Sequence, residues 1–318
     1  MATSPTHSGA ETTASTAPAP TSTAATPRQG WLSIALALLA VYLIWGSTYL
    51  AMRLAIKGFP PFLMAGTRFL IAGTLLFFFL RLRGGKLPSR KQCAAAALVG
   101  ILLLVGGNSL VAFAEQTVAS SVASLAIATV PLWAVLFARI WGRWPSRPEW
   151  IGLAAGFLGI LLLNLGGNLH ANPLGAAILL TAAGCWAFGT VLSQHLPLPP
   201  SGAMSSAIEM LAGGTILMLL TLLHGDHLAA SVPTVSWWAL GYLIVFGSLV
   251  GFSAYVFLLK RVRPALATSY AYVNPLVAVA LGAGLAGETI TWPELLALLF
   301  ILTGVVLVAL GRERKPGH

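Results

Sequence analysis

Charge is what this chain has least of. Of its 318 residues, 8% are charged, with 8 acidic residues against 18 basic ones, while 57% are hydrophobic. Soluble domains carry about 25% charged residues, and a soluble fold of this length could not hide so much apolar surface. The composition excludes an ordinary soluble domain and points to an integral membrane protein. Cysteine is scarce as well. Cys93 and Cys185 lie in or beside apolar runs without CxxC spacing, which excludes a disulfide framework or a cysteine metal site. A GxxxxGK[ST] phosphate loop is missing, so ATP does not drive this chain directly. The glycines of GAGLAG (Gly282, Gly284 and Gly287) follow no strand and sit in an apolar run, where they read as close-packing residues. His224, Asp226 and His227 cluster in one loop without a fourth ligand nearby and read as solvated loop residues. Neither metal nor cofactor is expected, and the basic excess sits in short loops, which speaks against nucleic acid.

What is present is a series of apolar runs. A helix needs about 20 such residues to cross the hydrocarbon core. Ten spans are predicted, at 31–54, 61–82, 92–114, 118–140, 149–166, 173–195, 203–223, 237–259, 265–286 and 292–311. Residues 1–30, rich in Thr, Ser, Ala and Pro, read as a disordered cytoplasmic tail. Residues 312–318 read as a basic cytoplasmic tail. Near Met1 there is no basic region followed by an apolar one, so the first span is expected to act as an uncleaved targeting signal. Loop charge sets the orientation. Fifteen of the 18 basic residues flank the ends on the amino-terminal side, while the opposite side has only Arg53 and Lys57 and Arg68 lies within the second span. Both termini are expected in the cytoplasm.

The chain also repeats itself. At an offset of 141, Trp45 falls on Trp186, Gly73-Thr74 on Gly214-Thr215 and Gly106 on Gly247. At 144, Pro131-Leu132 falls on Pro275-Leu276; at 145, Pro148-Glu149 falls on Pro293-Glu294 and Gly159 on Gly304. Each copy, 31–166 and 173–311, holds five spans. An odd number forces the second copy to enter the membrane from the opposite side. Inverted repeats are a transporter architecture, because the two halves can rock about one central site.

Several stretches carry a family likeness: IWGSTYLAMR in the first span, GTRFLIAG in the second, AEQTVASSVASLAIATVPLW across the third and fourth, and LLKRVRPALATSYAYVNPLVAVALGAGLAGE across the eighth and ninth. Over nearly all of 31–311 the chain resembles the drug/metabolite transporter superfamily, and within it the EamA family of ten-span exporters. The resemblance implies an all-α basket of ten helices around a central cavity lined mainly by spans one, three, four, six, eight and nine. One departure stands out. The second copy has Gly287-Glu288-Thr289, as the family pattern often does, whereas the first has Gly142-Arg143-Trp144.

Candidate residues follow from polarity within the spans. Trp45, Thr48 and Tyr49 share one side of the first helix, and Trp186 and Thr190 repeat the arrangement in the sixth. Aromatic faces with hydroxyls suit a cavity for organic molecules. Asn108, a polar group at membrane depth, and Tyr270, Tyr272 and Asn274 are further candidates for substrate contact; helix–helix bonding is the alternative for Asn108. Pro131 and Pro275 are expected to kink the fourth helix of each copy. Arg68 and Glu209 occupy equivalent positions with opposite charge and are expected either to pair, as a gate or lock, or to be solvated separately. Glu115 and Glu288 are expected to be solvated at an aqueous end; the sharper reading for Glu115 is proton coupling.

The expected function is secondary transport, exporting amino acids, related metabolites or drug-like compounds by alternating access. Partners are a small-molecule substrate and the bilayer, and a homodimer is compatible with the sequence. Two other classes compete. A membrane enzyme acting on lipid would need converging nucleophile, base or metal ligands; the six histidines instead lie in loops, tails or span ends. A passive channel would conduct without saturating and would need no repeat.

Overall fold

The computed structural model describes residues 1, 27–142, 144–165, 172–228, 231–262, 267, 270–285, 287 and 290–311. Most of the amino-terminal tail, all of 312–318, Glu288 and the side chain of Tyr272 lie outside the described residues. All regular secondary structure among the described residues is helical. Seven helices are long and apolar enough to cross a membrane: α1 (Trp31–Ala55), α2 (Pro61–Leu82), α3 (Arg90–Ala114), α4 (Val122–Trp141), α6 (Pro173–Ser193), α7 (Gly202–His224) and α8 (Thr234–Arg261). Between and after them lie α5 (Arg147–Leu165), α9 (Tyr270–Leu285) and α10 (Trp292–Gly311).

Three helices contain wider turns. α1 is π-helical over Val41–Trp45, α3 over Ile101–Ser109 and α8 over Leu243–Phe252. The last two are equivalent in the repeat. A π segment inserts residues into the helical ladder and re-aims side chains, and such segments gather at functional sites.

The prolines do not behave alike. Pro275 lies inside the continuous helix α9. Pro131 does not bend a continuous helix: α4 stops at Ile127, turns through Ala128 and Thr129, and resumes at Val130 with Pro131 in its new first turn. Proline is tolerated there because first-turn N–H groups have no intrahelical partner. The Thr129 hydroxyl closes the break by donating to Ala126 O at 2.6 Å.

The helix pairings obey the repeat. α2 packs on α7 and α5 on α10; α3 and α4 pack on α6, and α8 and α9 pack on α1. Advancing each helix five places maps every one of these pairs onto another or onto itself. The repeated glycines sit at the crossings. A Cβ at Gly214 would lie 2.8 Å from Leu70 N and one at Gly73 3.0 Å from Leu211 N. A Cβ at Gly304 would lie 2.5 Å from Gly152 O. Small residues let helix backbones approach this closely. The repeated Pro-Glu has a local cause. Glu149 accepts from Ser146 N at 2.6 Å and Glu294 from Thr291 N at 2.7 Å, the return half of a capping box at the start of α5 and of α10. Gly142 and Gly287, 145 apart, both adopt positive φ, 78° and 66°. The two copies therefore share this turn, although the residues that follow differ.

Candidate functional site

A cavity of about 50 Å³ lies where α1, α2, α3, α4, α6, α8 and α9 converge. It brings together Trp45, Thr48 and Tyr49 of α1, Asn108 of α3, Trp186 of α6 and Tyr270 and Asn274 of α9. The rings form a connected box. Trp45 meets Trp186 edge to face, centroids 5.5 Å apart, and meets Tyr270 edge to face at 5.1 Å. Tyr255 of α8 completes it, 4.9 Å from Trp45 and 5.7 Å from Tyr270. Such ring pairs are worth about 0.5–1.5 kcal/mol beyond burial alone. Tyr255 is the residue sequence reasoning missed. The available signal was helical: Tyr255 lies four residues beyond Gly251, on the same face of α8.

Both tryptophans are seated on glycine. A Cβ at Gly251 would lie 2.5 Å from Trp45 Nε1, and one at Gly107 would lie 2.7 Å from Trp186 Cε3. These glycines belong to the π segments of α8 and α3. A tryptophan of each copy thus rests on a glycine of the other. Trp45 Nε1 donates to Gly247 O at 3.3 Å, whereas buried Trp186 Nε1 has no acceptor among the described residues. Thr190 does not line the cavity. Its hydroxyl shares a 3.1 Å hydrogen bond with Tyr255 OH and so holds that ring from behind. Thr48 likewise turns its hydroxyl back to Trp45 O at 2.7 Å.

Arg68 and Glu209 form no ion pair. Arg68, 3% exposed, reaches the first cavity from α2. Its Nε donates to Ser248 Oγ at 2.7 Å and its Nη1 to Asn108 Oδ1 at 3.3 Å. Its guanidinium carbon also lies 4.6 Å from the centroid of Phe69. Arg68 therefore ties α2 to the π segments of both α3 and α8. Glu209 lines a different cavity, of about 250 Å³, between the middle of α3, the end of α6, the first half of α7 and the end of α8. The two residues therefore line separate cavities, although the repeat gives them equivalent positions.

Asn274 serves the backbone as well as the cavity. With its amide nitrogen turned toward the two carbonyls, where donor meets acceptor, it donates to Tyr42 O at 3.1 Å and Tyr270 O at 3.3 Å. Tyr42 lies in the π segment of α1, so Asn274 anchors α9 to that wide turn. Glu115 departs from the solvated reading. At the end of α3 it is 3% exposed, while neighbouring Gln116 is exposed. His224 and His227 are exposed, and no cluster able to hold a metal ion occurs among the described residues.

A helical chain whose two halves build one buried aromatic cavity has the form of a membrane transporter. The model of the EamA-like transporter family matches residues 32–165 and 173–310, and the chain belongs to that family. It is 50% identical over 281 residues to the uncharacterized inner membrane transporter YedA of Escherichia coli (strain K12), a match spanning 88% of this chain and 92% of that protein. It is 26% identical over 305 residues, 89% of this chain and 97% of the relative, to a Salmonella typhimurium (strain LT2) protein described as "Probable amino-acid metabolite efflux pump". A solved crystal structure with 20% identity superposes with a TM-score of 0.63 over 88% of this chain and 98% of the other, which shows a shared fold.

Proposed function

We propose that this chain is a secondary transporter of the inner membrane that exports small organic metabolites, amino acids and their relatives among them, by alternating access. The observation that carries this reading is the pair of tryptophan seats: Trp45 on Gly251 and Trp186 on Gly107 meet edge to face in the wall of one cavity. A site built equally from two copies can be offered to either side by rocking one copy against the other. The basic loops put both termini in the cytoplasm, and five crossings per copy then make the copies inverted. The efflux name of the Salmonella relative supports the substrate class.

In this reading the described conformation faces inward. Arg68, with its bonds to Ser248 and Asn108, closes the outer half, while the larger cavity beside Glu209 opens the inner half. The central cavity, at about 50 Å³, is contracted and must widen around substrate. Substrate shifts the equilibrium only as far as it binds one arrangement more tightly than the other. In this reading Glu115, buried at the end of α3, couples proton entry to exit. Purified chain in proteoliposomes should take up a panel amino acid with saturation and trans-stimulation, and Trp45→Ala should abolish both. Flux that never saturates would mark a channel, and turnover of lipid by the purified chain would mark an enzyme.

A further inference from the structure

Glu209 is 2% exposed on α7. Its Oε1 accepts from Ser205 Oγ at 2.8 Å, while Oε2 is buried with no partner among the described residues. A buried carboxylate oxygen without a donor is costly. The cation lining the same cavity attracts Glu209 from a distance but gives Oε2 no hydrogen bond. Lys260, exposed at the end of α8, directs its ammonium to Pro199 O at 2.6 Å and Pro200 O at 2.9 Å. The rest of the wall is mainly apolar, with Val99 and Leu103 of α3, Leu196 and Leu198 beyond α6, and Val256 and Leu259 of α8. At about 250 Å³ the cavity lies just under the usual range for small-molecule sites, about 300–1,000 Å³.

We propose that this second cavity is a binding site for a primary amine with a compact apolar body, with Glu209 receiving the ammonium and the apolar wall receiving the hydrocarbon. An ammonium supplies the donors that Oε2 lacks and a positive charge in direct contact, where that of Lys260 acts only from a distance. Ligand would reach Glu209 from the Lys260 end and wait there until the central cavity widens. That waiting role rests on the transport reading; the binding itself does not.

The test is therefore made on binding, with the full-length chain in detergent. Three probes of similar shape are compared: L-leucine, isoamylamine, which lacks the carboxylate, and 4-methylpentanoate, which lacks the ammonium. Reaction of Glu209 with dicyclohexylcarbodiimide is followed by peptide mass spectrometry as loss of the unmodified peptide, so that an amide formed when a probe amine traps the activated carboxyl and releases dicyclohexylurea counts as labelling and not as protection. Both amines should slow labelling in a saturable way and the acid should not. Glu209→Gln should weaken binding of both amines by about 10-fold or more, the size of losing one charged contact, and should leave thermal stability no lower than wild type. Protection by the acid equal to that by the amines, or no protection by any probe, would overturn the site. The labelling comparison uses the wild-type chain, so it stands even if the variant fails to fold. Transport lost in Trp45→Ala with protection retained would leave this site intact, and transport retained without protection would remove this site alone.

Discussion

Trp45 occupies the space that a side chain at Gly251 would need, with its Nε1 only 2.5 Å from where that Cβ would stand. Trp186 stands to Gly107 in the same relation, at 2.7 Å. The tryptophans are 141 residues apart and the glycines 144, so the two seats are alike in kind while the glycines fall three residues out of the repeat's register. Gly251→Ala and Gly107→Ala should each abolish transport while the chain still inserts. Overpacking of this kind costs about 1–3 kcal/mol, less than a ten-helix fold needs to lose before it fails. Uptake measured beside the melting temperature checks both halves of that expectation.

The Arg68 bonds predict a difference between two basic side chains. Arg68→Lys keeps the charge but cannot reach Ser248 and Asn108 with one planar group. Outer closure should weaken and transport should fall by about 10-fold, on the scale of one or two bonds to a charged group. Exchanging the charges, with Arg68→Glu and Glu209→Arg in one chain, should rescue nothing, because the two residues line different cavities. Uptake by the double variant at wild-type level would contradict the placement.

Tyr255→Phe removes one hydroxyl from the aromatic box and leaves Thr190 without its partner. The loss should be about 0.5–1.5 kcal/mol in stability. Thr190→Val added to Tyr255→Phe should cost little more than either change alone. A double-mutant cycle on thermal unfolding reads the coupling directly.

The paired Glu caps predict symmetry in stability. Glu149→Gln and Glu294→Gln each weaken one helix start, and each should cost at most about 0.5–2 kcal/mol, the range for capping groups. The two costs should be similar because the bonds are similar, 2.6 and 2.7 Å. Uptake at saturating substrate should be unchanged, since neither residue lines the central cavity.

Much of this was legible in the sequence for physical reasons. Span positions follow from hydropathy, since a helix must present apolar side chains to lipid along its whole length. The repeat was legible through Trp45 and Trp186, Gly73 and Gly214, and the two Pro-Glu pairs, residues whose shape or cap cannot be supplied by Leu or Val. Seven of the cavity residues were legible as polar or aromatic groups at membrane depth. What stayed hidden depends on helix rotation. Tyr255 went unremarked, because its helical relation to Gly251 points inward only once the rotation of α8 is known. Pro131 read as a bend like Pro275, yet α4 breaks before it, a difference set by Ala128 and Thr129. For Arg68 and Glu209 pairing and separate solvation both stayed open, because repeat equivalence gives register and not contact.

The central claim is that one cavity opens to the two membrane faces in turn. In a chain with Cys93 and Cys185 replaced by Ser, single cysteines are placed by Leu198→Cys in the inner cavity and by Val111→Cys on the wall of the central one. Each is labelled with a membrane-impermeant thiol reagent in sealed vesicles of known orientation, with and without a transported substrate. Substrate should slow labelling at Leu198→Cys from the cytoplasmic face and speed it at Val111→Cys from the outer face. Rates that stay fixed, or that rise at both sites together, would contradict alternating access.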